Sequence, residues 1–423
     1  MKLFDELQQR GLIDGITSDE LIEKINTGGL TFYVGFDPSA DSLHVGQFAM
    51  FNLMRILHRG GHTPIGLMGG ATGMIGDPGG KSRERNLLMR EQIEENIRGI
   101  KKQLLKFLDF KEGAKAIIVN NYDWLSELSL IDFLRDVGKH FSVNAMITRD
   151  SVKSRLDREG AGISYTEFSY MLLQAYDFYR LNNDLDCTLQ MGGSDQWGNI
   201  VSGIDLTRRM ANKQLYGLTM PLITKADGVK FGKSESGTVW LSPERTSPYE
   251  FYQFFLRQTD QDVIRYLKVF TTISLEEIAE LEKSVETEPH KRLAQERLAE
   301  ETTKVVHGDE EVKKVTKASQ VLFGEKIEDL DDDIISQIFK DVPSLDKDSA
   351  SLTAGFSLID ALVETGACTS KGQARKLIQS GGAYINNMQE KDTDYQLTSK
   401  DMASPSYLIL RSGKKNYRLI HLN

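Results

Sequence analysis

The stretch LTFYVGFDPSADSLHVGQFAMFNLMRILHRGGHTPIGLMGG, residues 30–70, decides the fold. LTFYVGF is a short apolar run with a glycine near its end, and reads as a buried strand. DPSADSLHVGQ follows as a turn-rich loop. From about His44 to His58 apolar residues recur at Phe48, Phe51, Met54 and Leu57, which is one face of a helix, and Gly60-Gly61 stops it. TPIGLMGG reads as a second strand. Strand, helix and strand in this order form a βαβ unit and predict a parallel sheet. Open sheets of that kind hold ligands at the C-terminal ends of their strands, which puts the 37–47 loop at the ligand edge. Free backbone N–H groups and the helix dipole favour phosphate there.

A second unit of this kind lies further on. YTEFSYMLLQAYDFYRL (165–181) reads as a mostly apolar helix, DCTLQM (186–191) as a strand, and GGSDQ as a tight loop. Ser194 is placed to cap a helix that runs to about Met210. Residues 1–225 are therefore expected to form an α/β domain of the doubly wound, parallel-sheet kind. Residues 226–246 form a loop and connection. Ser247/Glu250 and Ser274/Glu277 have capping-box spacing, with Pro248 at a first helical position, so 247–325 reads as all-helical. Residues 326–353 read as an acidic linker, and 354–423 as a compact module.

The chain of 423 residues is too long for one core. With 40% hydrophobic and 27% charged residues it has the composition of a soluble globular protein. Cys187 and Cys368 are too few and too far apart for a disulfide framework or a cysteine metal site. No apolar run reaches membrane length and no leader is evident, so a cytoplasmic protein with no membrane partner is expected. The net charge of −9 excludes a generally basic nucleic-acid binder. Residues 356–423 nevertheless carry +3, which leaves −12 elsewhere. Lys371 and Arg375 share a helix face and RSGKKNYR ends the module, a local footprint for RNA. A small packing domain is the plainer alternative.

Other candidates come with plain alternatives too. His44 and Gln47 are three apart and share the first helical turn, with Gly46 between them allowing close approach. A surface histidine at a helix start would look the same. GLMGGATGMIGDPGGKS (66–82) fails the P-loop spacing because Ile75 stands where glycine is required. Asp77 is the one acid within it, and a ligand-free loop is its alternative. Tyr170, Gln174 and Asp177 follow i, i+4, i+7 and form a polar stripe, which either faces water or lines a pocket for a phenol or amine. Lys230, Lys233 and Ser234 in KFGKS lie between Gly228 and Gly237, as a phosphate clamp or a solvated hairpin tip.

Taken in order, HVGQ, GGATGMIGDP, FSYMLLQAYDF, QMGGSDQWGN and KFGKS resemble the class I aminoacyl-tRNA synthetases over nearly the whole length. HVGQ stands at the HIGH signature and KFGKS at KMSKS. The likeness is greatest to the bacterial branch specific for tyrosine, and the C-terminal module resembles a small α+β RNA-binding module. The resemblance implies a Rossmann-type catalytic domain, a homodimer, and the substrates L-tyrosine, ATP and tRNA(Tyr), with Mg²⁺ arriving on ATP and no DNA partner. It implies that Tyr33, Asp77, Tyr170, Gln174, Asp177 and Gln196 bind tyrosine. Gly35, Asp37, Ser39, His44, Gly46, Gln47, Gly193 and Asp195 would serve ATP, with Lys230, Lys233 and Ser234 on the mobile loop. His44, Gln47, Lys230, Lys233 and Ser234 would act in catalysis. The rivals are a tryptophan-specific relative, a small nucleotidylyltransferase, and a non-catalytic RNA-binding protein on the same scaffold.

Overall fold

The computed structural model describes all residues except 78–87, 109–115, 150–151, 154–155, 157–161, 227, 229–230, 235–236, 323–326, 328–329, 341 and 414–415. The chain divides into two compact units, 1–246 with 254–302, and 247–253 with 303–423.

The first unit is built on a six-stranded sheet: β1 (Gly15–Ile16), β2 (Thr31–Phe36), β3 (Thr63–Met68), β4 (Ile117–Asn120), β5 (Leu189–Gly193) and β6 (Tyr216–Met220). Their order is β1-β6-β5-β2-β3-β4, with only β1 antiparallel. Chain order reverses between β2 and β5, which makes the crevice beside them the switch point where doubly wound sheets bind ligands. The βαβ unit read from residues 30–70 is present as β2, the helix Val45–Arg59, and β3. Central strands are buried on both faces, as in β3, where five of six residues are buried.

Helix Tyr165–Leu185 and helix Trp197–Ala211 flank β5. Ser194 does not cap the latter. It opens a 3₁₀ turn, Ser194–Gln196, and Gln196 occupies the cap position without a side-chain bond. Residues 254–302, expected to belong to a separate helical domain, cluster with this first unit. Buried polar bonds join them, beside the stacking of Phe270 on Phe48. Asn52 Nδ2 donates to the carbonyls of Val269 (2.8 Å) and Thr271 (3.0 Å), and buried Arg10 donates to those of Thr271 (3.2 Å) and Ile273 (2.7 Å). Both satisfy orphan carbonyls at the end of helix Asp260–Phe270.

The second unit holds a five-stranded sheet, in the order Met388–Glu390, Ala383–Ile385, Tyr407–Ser412, Asn416–Leu422, Ser344–Lys347. Asn386 and Asn387, at φ 46° and 63°, turn its first hairpin, as a two-residue loop requires. Helices Leu358–Glu364 and Lys371–Gln379 cover one face through Leu362, Ala374 and Ile378. Ser370 caps the second helix, as its position suggests. The acidic stretch 326–353 is not all linker. Ser344–Lys347 pairs in parallel with Leu419–Leu422, and Ser404 Oγ and Ser406 N donate to Asp332. A short, charged edge strand carries too little alternation to be read from sequence.

Candidate active site

At the C-terminal ends of β2 and β5 lies a cavity of about 390 Å³. Tyr33, Gly35 and Asp37 line it from β2 and the following loop, and Gly193, Asp195 and Gln196 from the end of β5. Tyr170, Gln174 and Asp177 do so from helix Tyr165–Leu185, so the polar stripe faces the pocket rather than water. Asp77, Gly46 and Gln47 line it as well.

At the deep end Asp177 is buried. It accepts from Asn121 Nδ2 at 2.9 Å and from Trp124 Nε1 at 2.8 Å. Burial raises its pKa to about 7, against the pull of those two donors. Tyr33 is 1% exposed and packs edge-on against Phe178 at 5.2 Å. Its hydroxyl finds no hydrogen-bond partner among the described residues. Burial first, and the nearby Asp177 second, push its pKa well above the ordinary phenol value. The Gln190 side-chain oxygen, on the same cavity wall, is also buried without a partner among the described residues. A buried polar atom left unpaired is costly, and the Tyr33 hydroxyl near the Asp177 carboxylate suits a polar ligand group.

Nearer the mouth, Gln196 Nε2 donates to Asp77 at 2.6 Å, and Gln174 Nε2 to Gln196 Oε1 at 3.2 Å. Asn199 Nδ2 joins both glutamines, at 3.1 and 3.2 Å. The Tyr170 hydroxyl donates to Asp37 at 3.2 Å, as does Thr72 Oγ1. Asp37, expected on the nucleotide side, thus shares its bonds with Tyr170 of the amino-acid side. Four carboxylates border the cavity and no Lys or Arg does among the described residues. This field suits an ammonium group and leaves phosphate charge to be balanced from elsewhere.

The HVGQ turn is a capping box. The Gly46 N–H donates to His44 Nδ1 at 3.1 Å, and the His44 N–H to Gln47 Oε1 at 3.1 Å. The H-x-x-Q spacing does what S-x-x-E does elsewhere. Val45 N–H goes to Val239 O (3.0 Å) and Gln47 N–H to His44 O (2.9 Å). The first amides are therefore engaged, contrary to the expectation of free donors for phosphate. What remains is the dipole, the Gln47 amide N–H₂, and His44 Nε2. Burial lowers the His44 pKa, and with Nδ1 accepting, the proton of the neutral ring sits on Nε2. A Cβ on Gly46 would stand 2.9 Å from the His44 ring, so glycine is required for this cap. His44 and Ser39 do not line the cavity, and Ser39 is exposed. Lys230 lies outside the described residues. Lys233–Ser234 pairs as a two-residue strand with Gly237–Thr238.

The profile of the tRNA synthetases class I (W and Y) matches residues 26–324. The chain belongs to this family. A second profile, the C-terminal domain of tyrosine–tRNA ligases, matches 334–420. This class I synthetase is 52% identical over 426 residues to the tyrosine–tRNA ligase of Roseiflexus castenholzii, covering 99% of each chain. It is 49% identical to that of Rhodopirellula baltica, over 99% of this chain and 96% of the other. The crystal structure of a C-terminally truncated mitochondrial tyrosyl-tRNA synthetase from Aspergillus nidulans superposes with a TM-score of 0.68 and 32% identity, over 76% of this chain and 94% of that one.

Sequence reasoning missed Asn121, Trp124, Thr72 and Gln190 in this synthetase. The first two sit in NNYDW, after a strand, with nothing in their spacing to mark them. Gln190 could have been found as a lone polar residue in an otherwise apolar strand. Among the described residues no three His, Cys, Asp or Glu side chains converge to hold a metal, and no helix is long and apolar enough to cross a membrane.

Proposed function

We propose that this enzyme is a tyrosine–tRNA ligase, which activates L-tyrosine with ATP and transfers it to the 3′ end of tRNA(Tyr). One observation carries the choice of amino acid: the buried, unpartnered Tyr33 hydroxyl beside the Asp177 carboxylate. A phenol bound there donates to Asp177 and accepts from Tyr33, which satisfies both. An indole ring N–H can donate but cannot accept. Asp77, Tyr170, Gln174 and Gln196 hold the substrate's ammonium end.

In activation a tyrosine carboxylate oxygen attacks the α-phosphorus of ATP. The new O–P bond forms as the α–β bridging P–O bond breaks, and pyrophosphate leaves. The attacking oxygen is already anionic, so no protein base or nucleophile is needed, and the rate comes from positioning and charge stabilisation. Gly35, Asp37, Ser39, Gly46, Gly193 and Asp195 border the nucleotide. Gln47 spends its oxygen on the cap, so its N–H₂ is the group left to donate to phosphate, with His44 Nε2–H beside it. Lys230, Lys233 and Ser234 supply what the acidic cavity lacks. Mg²⁺ would arrive with ATP and would supply charge neutralisation at its phosphates.

Residues 354–423, with the strand Ser344–Lys347, form the RNA-binding part. The assembly is a homodimer. The apolar side chains of Leu130 and Ile131, 69% and 70% exposed, with Val143 and Ile147 nearby in sequence, support a self-associating surface. The deciding experiment is ATP–pyrophosphate exchange with tyrosine and with tryptophan. Exchange with tyrosine is expected, and exchange with tryptophan alone ends this reading.

A further inference from the structure

KFGKS does not behave as a solvated tip along its whole length. Phe231 is 6% exposed, and its ring centroid lies 4.5 Å from Tyr266, 5.0 Å from Phe270 and 5.1 Å from Phe254. These rings belong to helices Pro248–Leu256 and Asp260–Phe270. Phe270 in turn stacks on Phe48, at 5.8 Å and 11° between planes. Phe48 follows Gln47 directly on helix Val45–Arg59, and Asn52 of the same helix caps the end of helix Asp260–Phe270. The socket that receives Phe231 is thus fastened to the very helix that opens with the HVGQ capping box.

The main chain adds to this. Phe231 N–H donates to Ile223 O at 3.0 Å and Val239 N–H to Gly232 O at 3.0 Å. Gly232, at φ 109°, passes so close to the helix start that a Cβ there would lie 3.2 Å from Val45 Cγ2 and 3.3 Å from Gly46 N. Beyond the loop, Leu241 N–H donates to Leu43 O at 2.8 Å, and Trp240 stands edge-on to His44 at 6.1 Å. The segment is held at both ends against residues 43–46.

We infer that Phe231 is a positioning residue for amino-acid activation: seated in its aromatic socket, it fixes the main chain of residues 231–232 against the first turn of helix Val45–Arg59, and so sets the frame from which the loop's lysine chemistry, Lys233 above all, serves the ATP phosphates. The inference rests on the ligase reading above and on the lysines' part in it. A ring that merely filled the core would affect stability alone. A ring that aims the lysines affects turnover through them.

The test is a double-mutant cycle on the full chain, read by ATP–pyrophosphate exchange, with tyrosine affinity followed by intrinsic fluorescence. Phe231→Ala is expected to lower kcat by about 10² because small misplacements of a catalytic group cost that much. Tyrosine affinity should stay within about twofold, since its pocket lies elsewhere. Lys233→Ala should then cost far less in the Phe231→Ala background than in the parent, as coupled residues do not add. Phe231→Met, which refills the socket with a flexible apolar chain, should restore most of kcat. If Phe231→Ala fails to fold, Phe231→Leu replaces it in the same cycle. Equal cost of Lys233→Ala in both backgrounds overturns the inference. If Lys233→Ala costs nothing in the parent, the clamp reading falls, and this inference with it. Exchange with tryptophan alone would instead overturn the ligase reading itself.

Discussion

The two ends of the cavity are built by different means. At the deep end, Tyr33 and Asp177 stand on a central strand and a buried helix, and Asn121 and Trp124 hold the carboxylate from behind. At the outer end, the His44 ring accepts from the Gly46 N–H and the Gln47 side chain from the His44 N–H, and the proposed cationic groups are those of Lys230 and Lys233. The deep end is preorganised by burial. The outer end is assembled from a capped helix start and a loop. Substitutions at the deep end should therefore change which amino acid is accepted, whereas substitutions at the outer end should change how fast it reacts.

The largest expected break in this contrast comes from Lys233→Ala. Activation should fall by about 10² or more with tyrosine binding nearly intact, because the interaction belongs to the transition state. Stopped-flow activation with a tyrosine titration checks it, and parallel loss of both would make the loop structural. Next in size is Gln47. Gln47→Ala should slow activation by about tenfold and cost about 1 kcal/mol of stability, since it removes both the donor and one arm of the cap. Gln47→His should change the rate less, and an Ala variant as fast as the parent removes position 47 from the mechanism.

The smallest effect is on pH. The Asp177 carboxyl titrates at about 7 in the folded chain against 3.8 when exposed. Between those values the folded state holds a proton that the unfolded state has lost, so the unliganded enzyme should lose stability as pH rises across that window. Tyrosine affinity should move the opposite way, rising as Asp177 ionises and can accept from the phenol. Asp177→Asn should flatten both profiles. Calorimetry and fluorescence titration from pH 5 to about 8.5 would show this, and an unchanged stability slope in the Asn variant would place the titration elsewhere.

How much was legible in the chain follows the same division. Burial writes itself as periodicity, so β2, β3 and the stripe Tyr170–Gln174–Asp177 could be read directly. Asn121 and Trp124 reach Asp177 only because β4 ends beside it, and sheet order is not a local property. The cap was half legible. H-x-x-Q has the spacing of a capping box, but histidine is not among the usual cap residues, so the pair looked like two ligand groups. The strand Ser344–Lys347 was hidden by its charge, and the attachment of residues 254–302 by contacts distant in sequence, the polar bonds of Arg10 and Asn52 and the stacking of Phe270 on Phe48.

The central claim is that Tyr33 and Asp177 await a phenol. The most direct test is the ratio of kcat/KM for tyrosine over phenylalanine in ATP–pyrophosphate exchange, in the parent and in Tyr33→Phe. The account predicts a strong preference for tyrosine that narrows by about tenfold when the hydroxyl is removed. A ratio unchanged by that substitution would contradict it.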